Sequence, residues 1–258
     1  MKLFFTCILA LLFIKNSYAQ NIAFTKNVFN TWLDTRVGNG LTPTYWYCYG
    51  EVYSYPEGKI IAKMEGVDMA RFIKITADSV VQISRKIFIY TDLITGQALE
   101  TYNGIAVQHI QYPYQQISYV HKDNKLVTWV TQGAGTRLQT IGPGTKTFAR
   151  KQGNGYIFSA PLFLNIVTPK GTYEAYENYD FVTSPKEKKM ADKYKLYWNR
   201  FGDLPPFAGL GKSIIQLVCN RVPTWSDLSQ PLKKYITEKA PLWKDAPLNL
   251  AEIESLQK

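Results

Sequence analysis

The feature of this chain that most constrains its fold is a succession of strand-like segments separated by turn residues. From Tyr45 onward, runs rich in β-branched and aromatic residues follow one another closely. Their separators, such as Pro56-Glu57-Gly58 and Asp123-Asn124, adopt or pre-set turn dihedrals at low cost. Because the separators are too short for crossover helices, the pattern predicts antiparallel pairing. The predicted strands are residues 45–55, 59–67, 71–76, 80–91, 105–112, 116–121, 125–131, 145–150, 156–168, 172–183, 194–201 and 213–219.

A long antiparallel meander has to protect its edge strands. We therefore predict an all-β, mainly antiparallel protein whose meander curls strongly or closes into a barrel, lipocalin-like in outline. Residues 20–258 fit one such domain. A short N-terminal helix is expected over residues 24–34, where apolar residues recur at four-residue spacing. A C-terminal helix is expected to begin after Ser226 or Ser229 and to end before Pro241.

Residues 1–19 have the pattern of a cleavable signal peptide. Lys2 supplies a positive charge, residues 3–14 are apolar, and the small residues Ser17 and Ala19 fit the cleavage positions. The mature chain would begin at Gln20, and we expect it in the periplasm or outside the cell. No later stretch approaches the roughly 20 apolar residues that a membrane-spanning helix needs, so no stable membrane span is expected after cleavage.

The charge of the chain is basic but scattered. Removing Lys2 and Lys15 with the signal peptide leaves 28 basic residues against 20 acidic ones. No run of five like charges occurs, so nucleic acid is not an expected partner. The spacings typical of a zinc site or of a nucleophile elbow are also missing from the sequence, and we predict no metal and no cofactor.

Cys48 and Cys219 are the two cysteines of the mature chain. In an oxidising compartment their single possible intramolecular pairing is a Cys48–Cys219 disulfide. Each cysteine lies in an apolar strand-like run, and two buried free thiols fit the sequence equally well. The sequence leaves both alternatives open.

The stretch at residues 45–55 contains six aromatic residues. The two-residue period of a strand places Trp46, Cys48 and Val52 on one face. The other face carries Tyr45, Tyr47, Tyr49, Glu51, Tyr53 and Tyr55. A row of rings with hydroxyl tips suits either the lining of a ligand cavity or the outside of a half-solvated sheet, and the second interpretation is the simpler.

The two histidines, His109 and His121, are the titratable pair with the greatest potential for acid–base chemistry. If Pro113 marks a reversal between two paired strands, both side chains point to the same face. One interpretation is a general base supported by a carboxylate such as Glu51 or Glu65. The other is a pair of half-exposed strand histidines with hydrogen-bonded rings, which we consider the default.

Arg200 is a charged residue on an otherwise apolar strand. An arginine inside a barrel normally has a carboxylate partner. An inward Arg200 opposite Glu65 or Asp92 would therefore be a candidate anion anchor, whereas an outward Arg200 would be a surface charge.

Several segments carry a resemblance when the chain is read in order. They are Tyr47-Cys48-Tyr49-Gly50-Glu51-Val52-Tyr53, Tyr90-Thr91-Asp92-Leu93-Ile94-Thr95-Gly96-Gln97-Ala98-Leu99, Trp198-Asn199-Arg200-Phe201-Gly202-Asp203-Leu204-Pro205-Pro206 and Trp225-Ser226-Asp227-Leu228. Together they resemble a bacterial family known as domain of unknown function 1838. The chain departs from that family at Gln111-Tyr112-Pro113, where the family has an Asn-Asp pair before the proline. The resemblance implies a shared fold and export, and it implies no reaction.

Two hypotheses of function follow. The first is an exported binding protein that holds a small apolar or aromatic molecule against the tyrosine face, with His109 or Arg200 at its polar end. The second is a cofactor-independent isomerase, lyase or hydrolase that uses His109 or His121 as general base, oriented by Glu65 or Asp92. The sequence leaves open which of the two applies, and also the oligomeric state.

Overall fold

The structure, a computed structural model, describes residues 21–38, 40, 42–134, 137–141, 147–168 and 171–255. The expected signal peptide, with its cleavage point at Ala19, lies outside the described residues. The helices are α1 (Lys26–Val37), α2 (Met190–Lys193), α3 (Gln230–Lys239) and α4 (Leu250–Ser255). The strands are β1 (Asn21–Ile22), β2 (Thr44–Tyr55), β3 (Ile60–Thr76), β4 (Ser79–Thr91), β5 (Thr101–Tyr102), β6 (Ile105–Ala106), β7 (Ile110–Lys122), β8 (Lys125–Ala134), β9 (Arg137–Ile141), β10 (Phe148–Gln152), β11 (Gly155–Thr168), β12 (Gly171–Thr183), β13 (Tyr194–Asp203) and β14 (Lys212–Val222).

The described strands form one 12-stranded antiparallel sheet and a separate β5–β6 hairpin. The sheet order is β1-β10-β11-β12-β13-β14-β2-β3-β4-β7-β8-β9, so the last strand of the meander, β14, returns to pair with the first long strand, β2. The sheet curls into a half-barrel with β9 at one edge and β1, added beside β10, at the other. The predicted curled antiparallel meander with N-terminal and C-terminal helices is confirmed.

The hairpin predicted around Pro113 is wrong. Residues 110–122 form one continuous strand, β7, and Pro113 lies within it. The register between β4 and β7 shifts between Ser84 and Lys86, opposite this proline. A β-bulge tolerates a residue that has no backbone N–H, and the Pro113 carbonyl accepts a hydrogen bond from Arg85 Nε at 3.1 Å.

We call the sheet face that carries Trp46, Cys48 and Val52 the inner face and the opposite face the outer face. Helix α1 lies on the inner face and contacts both arms of the sheet, which shows that the inner face is concave. Trp32 of α1 packs edge-on against Tyr119 of β7 at 5.8 Å and against Phe158 of β11 at 5.3 Å, although six strands separate β7 from β11. Helix α1 therefore fills one end of the half-barrel with apolar side chains.

Two glycines on the inner face allow neighbouring strands to approach closely. A Cβ at Gly50 would lie 1.9 Å from the Gln216 carbonyl oxygen, and one at Gly66 would lie 2.3 Å from the Ile87 carbonyl oxygen. Because no other residue fits these positions without a shift of backbone, the glycines are part of how the sheet curls.

The C-terminal segment covers part of the outer face. Leu232 and Ile236 of α3 are fully buried in an apolar cluster that includes Val67, Ile87 and Ile89 of the sheet. The Ser229 side chain caps α3 by accepting a hydrogen bond from the Leu232 backbone N–H at 3.2 Å.

Cys48 and Cys219 form a disulfide between β2 and β14, at directly opposed positions of the two strands. Both residues are buried on the inner face. The bridge joins the first and last long strands of the meander across a sequence separation of 171 residues.

Candidate functional site

The tyrosine row of β2 lies on the outer face, opposite the concavity. Tyr45 is buried in the α3 cluster and Tyr47 packs against it. Tyr49 is exposed, whereas Glu51 and Tyr53 are partly exposed. This location agrees with the interpretation of the row as the outside of a sheet and gives these residues no shared cavity with Arg200.

Glu65 is also on the outer face, where it joins the sheet to α3. Its Oε2 accepts hydrogen bonds from the Tyr47 hydroxyl at 2.7 Å and from the Ser229 hydroxyl at 2.5 Å. Burial and this carboxylate raise the pKa of Tyr47. Glu65 therefore acts in the attachment of α3 and supports neither histidine.

The two histidines lie at opposite ends of β7, roughly 40 Å apart by the rise of a strand. His109 precedes the strand, accepts a hydrogen bond from the Tyr90 backbone N–H at Nδ1 (3.2 Å) and packs edge-on against Tyr235. Burial lowers the pKa of His109. His121 Nε2 donates to the Phe24 carbonyl at 2.7 Å. The structure does not bring the histidines together, because β7 continues through the position where a turn was expected.

Arg200 is on the inner face of β13, with a carboxylate partner other than those predicted. It lies directly opposite Glu177 of β12, and its Nε is 3.7 Å from Glu177 Oε1. Its Nη2 donates to the Tyr173 hydroxyl at 2.5 Å. Burial lowers the pKa of Arg200, but the Tyr173 phenol and the Glu177 carboxylate outweigh it and leave the pKa raised. Asp92, the other predicted partner, instead holds a turn by accepting from the Thr95 backbone N–H at 2.7 Å.

Gly202 allows the Arg200 side chain to lie along its own strand. A Cβ at Gly202 would be 2.6 Å from Arg200 Nη2. The guanidinium is therefore held against bare backbone on one side and against Tyr173 on the other, which fixes its position.

Glu177 is the centre of a polar cluster, which we call the Arg200 cluster: Tyr173, Glu177, Tyr179, Trp198 and Arg200. The Tyr179 hydroxyl donates to Glu177 Oε2, and Trp198 Nε1 donates to the same oxygen at 3.4 Å. Burial and the neighbouring carboxylate raise the pKa of Tyr179 well above its usual value. The phenol stays protonated at neutral pH and serves as a hydrogen-bond donor.

A second polar cluster lies beside α1. Arg36 Nη2 is 2.6 Å from Asp68 Oδ2, and both side chains are more than nine-tenths buried. Within the described residues Arg36 Nη1 and Asp68 Oδ1 are buried without a hydrogen bond of ordinary geometry, and Arg36 also interacts with the Tyr119 hydroxyl. Buried polar atoms without partners are rare, so these two atoms indicate a place where water or a ligand group can bind.

Lys86 lies between these two clusters on the inner face of β4. It is directly opposite Asp68 in the sheet, and its electrostatic neighbours are Asp68, Arg36 and Glu177. Within the described residues its amine makes no hydrogen bond, yet the side chain is partly exposed to solvent. Burial lowers the pKa of Lys86.

Aromatic rings from both arms of the sheet face each other beside Lys86. Phe88 of β4 and Trp198 of β13 are 6.2 Å apart across the curl, although three strands lie between β4 and β13. Tyr90 packs edge-on against Phe207 at 4.9 Å, and burial raises the pKa of Tyr90 to about 12. We call the group formed by the rings of Phe88, Tyr90, Trp198 and Phe207, with the polar side chains beside it, the slot.

Sequence reasoning missed Lys86, Glu177 and the Arg36–Asp68 pair. The available signal was a charged residue within an apolar strand, which the sequence showed for Arg200 and equally for Lys86 and Asp68. What the sequence lacked was the pairing of distant strands. Among the described residues no group of three or more histidine, cysteine or acidic side chains could hold a metal.

The family of the chain is decided by the comparison with family models. The model described as "Protein of unknown function (DUF1838)" matches residues 42–257. The chain belongs to this family. The DUF1838 match spans β2 to the C-terminal helices and therefore includes both clusters except Arg36, which lies on α1. Comparison with curated proteins and with solved structures gives no match.

In the ranges that the structure describes, no helix of this DUF1838 protein has the length and apolar character of a membrane-spanning segment.

Proposed function

We propose that this protein binds a small aromatic or apolar molecule with an anionic group in the slot on the inner face. The observation that carries the proposal is the slot itself: rings from two distant strands face each other, with an unpaired lysine beside them. Binding sites for small molecules are typically concave and apolar with a few convergent polar groups, and the slot has this form.

The charge of the site favours an anion. The charged side chains on its walls are the cations Arg36, Lys86 and Arg200 and the carboxylates Asp68 and Glu177. With Lys86 protonated, one positive charge is left over. A carboxylate on the ligand would balance it, and the phenols of the slot would donate hydrogen bonds to its oxygens.

The test is calorimetric titration with 1-naphthoate and, for comparison, with the neutral 1-naphthalenemethanol. We expect 1-naphthoate to bind more tightly. Replacing Trp198 by leucine should weaken the binding of 1-naphthoate at least about tenfold, because stacking of a ligand ring on an aromatic side chain contributes roughly 1–3 kcal/mol. Tyr197 is the neighbouring residue on the same strand and faces outward, so Tyr197→Leu is the matched control and should leave binding unchanged.

Two results would contradict the proposal. One is binding of 1-naphthoate that is weakened by Tyr197→Leu and untouched by Trp198→Leu, which would place the site on the outer face. The other is an absence of binding by a panel of aromatic acids to protein whose near-ultraviolet circular dichroism shows a packed fold.

We also propose that the protein is exported, with cleavage of residues 1–19. The composition of this segment and the buried Cys48–Cys219 bridge support the proposal, because disulfides persist in oxidising compartments. Intact-mass measurement of the natural protein tests it. We expect a chain that begins at Gln20 and is two hydrogens lighter than the dithiol, whereas a full-length chain with two free thiols would contradict it.

A further inference from the structure

We propose that Lys86 reacts covalently with a carbonyl group of the bound molecule and forms an imine. The inference rests on the proposed function and narrows the ligand to an aromatic aldehyde or ketone. Lys86 would then be the residue that distinguishes a carbonyl compound from other aromatic molecules of the same shape.

The position of Lys86 supports this reaction. The side chain is enclosed between the Arg36–Asp68 pair and the Arg200 cluster, and the register places it directly between Asp68 of β3 and Tyr112 of β7. It lies two residues before Phe88 on the same strand, so its side chain points to the same face of the sheet as the Phe88 ring. A planar molecule that packs against the rings of the slot would therefore have a lysine on the same face of the sheet.

The amine is available because its neighbours do not use it. Asp68 is directly opposite in the sheet, but its Oδ2 is held by Arg36 at 2.6 Å and no ion pair with Lys86 is formed. In the part of the chain that the structure describes, Asp68 Oδ1 is buried without a hydrogen bond. A lysine that served only to neutralise charge would be expected to pair with this carboxylate.

The chemistry balances with the groups present and with water. The lone pair of the neutral amine forms a bond to the carbonyl carbon, and one amine proton passes to the carbonyl oxygen to give a carbinolamine. The hydroxyl then takes a second proton from solvent and leaves as water, which breaks the carbon–oxygen bond and leaves a protonated imine. The positive charge that the nitrogen gains in this step lies near Asp68 and Glu177, whose carboxylates stabilise it.

Burial also favours the reactive form of the amine. It lowers the pKa of Lys86, so that a larger fraction of the side chain is neutral and nucleophilic at neutral pH than for a lysine on the surface. Desolvation of a lysine in an apolar site is a common way to activate it for imine formation.

The test uses 4-formylbenzoate with sodium cyanoborohydride, which reduces an imine to a stable amine, followed by peptide mass spectrometry. We expect one adduct per protein, located on Lys86. Surface lysines should be labelled at least about tenfold less, because a site that holds the aldehyde beside the amine raises its effective concentration. Lys86→Arg should abolish the single adduct, and Lys63→Arg, a change of an exposed lysine on the adjacent strand, should not.

A matched compound separates this inference from the proposed function. 4-(Hydroxymethyl)benzoate has a similar shape and cannot form an imine. If it binds to the slot and 4-formylbenzoate leaves no adduct on Lys86, the covalent step is excluded and the binding function stands. If neither compound binds and labelling follows exposure across all lysines, both proposals fail. The adduct is mapped on the wild-type protein, so the result does not depend on the folding of a variant.

Discussion

Arg85 and Lys86 are neighbours in β4, and the contrast between them summarises the two faces of the sheet. The Arg85 side chain points to the outer face, is only 3% exposed and has three partners: the carbonyls of Pro113 and Asp245 and the carboxylate of Glu252. The Lys86 side chain points to the inner face, reaches solvent and has no hydrogen bond within the described residues. Arg85 attaches the C-terminal segment to the sheet, whereas the Lys86 amine makes no such contact within the described residues.

The difference shows how to separate structural from functional polar groups in this fold. On the outer face the polar atoms of Arg85 and Glu65 are used in attaching helices. On the inner face Asp68 Oδ1 is buried without a hydrogen bond, and the Lys86 amine makes none within the described residues. Among the same residues, Arg71 Nε on the outer face is also buried without a partner. Buried polar atoms without partners lower the stability of a protein, and bound water or a ligand group can satisfy them.

The largest effect expected from this comparison is that of Arg85→Met. The change breaks an ion pair that is buried on the arginine side and leaves two carbonyls without their donor, which should lower the free energy of unfolding by about 3 kcal/mol. Urea unfolding measures it. Binding of 1-naphthoate to the folded fraction should be unchanged, since the outer face does not contribute to the slot. A loss below about 1 kcal/mol would show that the outer network is not structural.

A second effect of similar size is expected at alkaline pH. Burial raises the pKa of Tyr90 from 10.0 to about 12 in the folded state. The protonated Tyr90 phenol contributes fully to the free energy of unfolding below pH 10. This contribution, about 3 kcal/mol, is lost as the pH rises from 10 to 12. Unfolding by urea at a series of pH values should therefore be less pH-dependent in Tyr90→Phe. The exposed Tyr55 is the control: if Tyr55→Phe changes the alkaline dependence as much as Tyr90→Phe does, the inner face is not as buried as described.

A smaller effect of opposite sign is expected for Lys86→Met. Methionine has a similar length and no charge, so the change removes a partly desolvated amine that makes no hydrogen bond within the described residues, and it should raise the free energy of unfolding by about 1 kcal/mol. Imine trapping should be lost at the same time. Destabilisation by several kcal/mol would contradict the account, because it would mean that Lys86 makes an essential contact.

The smallest effect is expected for Ser229→Ala. The hydroxyl caps α3 and donates to Glu65, so its removal should cost about 1 kcal/mol of stability. Thermal unfolding measures the change, and 1-naphthoate binding serves as the second readout. If Ser229→Ala altered the binding of 1-naphthoate, residues of the outer face would contribute to binding, and the proposed division of roles between the two faces would be wrong.

The sequence predicted the features that depend on local pattern. The meander, both helices and the two faces of β2 follow from periodicity and turn residues. Periodicity cannot tell which of two faces will be concave: Tyr47 and Trp46 are equally aromatic, and only the curl of the sheet places Trp46 inside. The pairing of Arg200 with Glu177 required the register of β12 and β13, which a single sequence does not contain.

The error at the histidines has a different origin. Pro113 is a turn residue by its chemistry, and the sequence gives no sign that a bulge in β4 and β7 accommodates it within a strand. The assumed turn brought His109 and His121 together, and the observed strand separates them.

The measurement that tests the central claim most directly is native mass spectrometry of the protein purified gently from its natural source, beside the same sample after denaturation. The account predicts one small molecule per chain that is released on denaturation, is absent from Trp198→Leu and is retained by Tyr197→Leu. A bound molecule that persists in Trp198→Leu and disappears from Tyr197→Leu would place the ligand on the outer face and contradict the account.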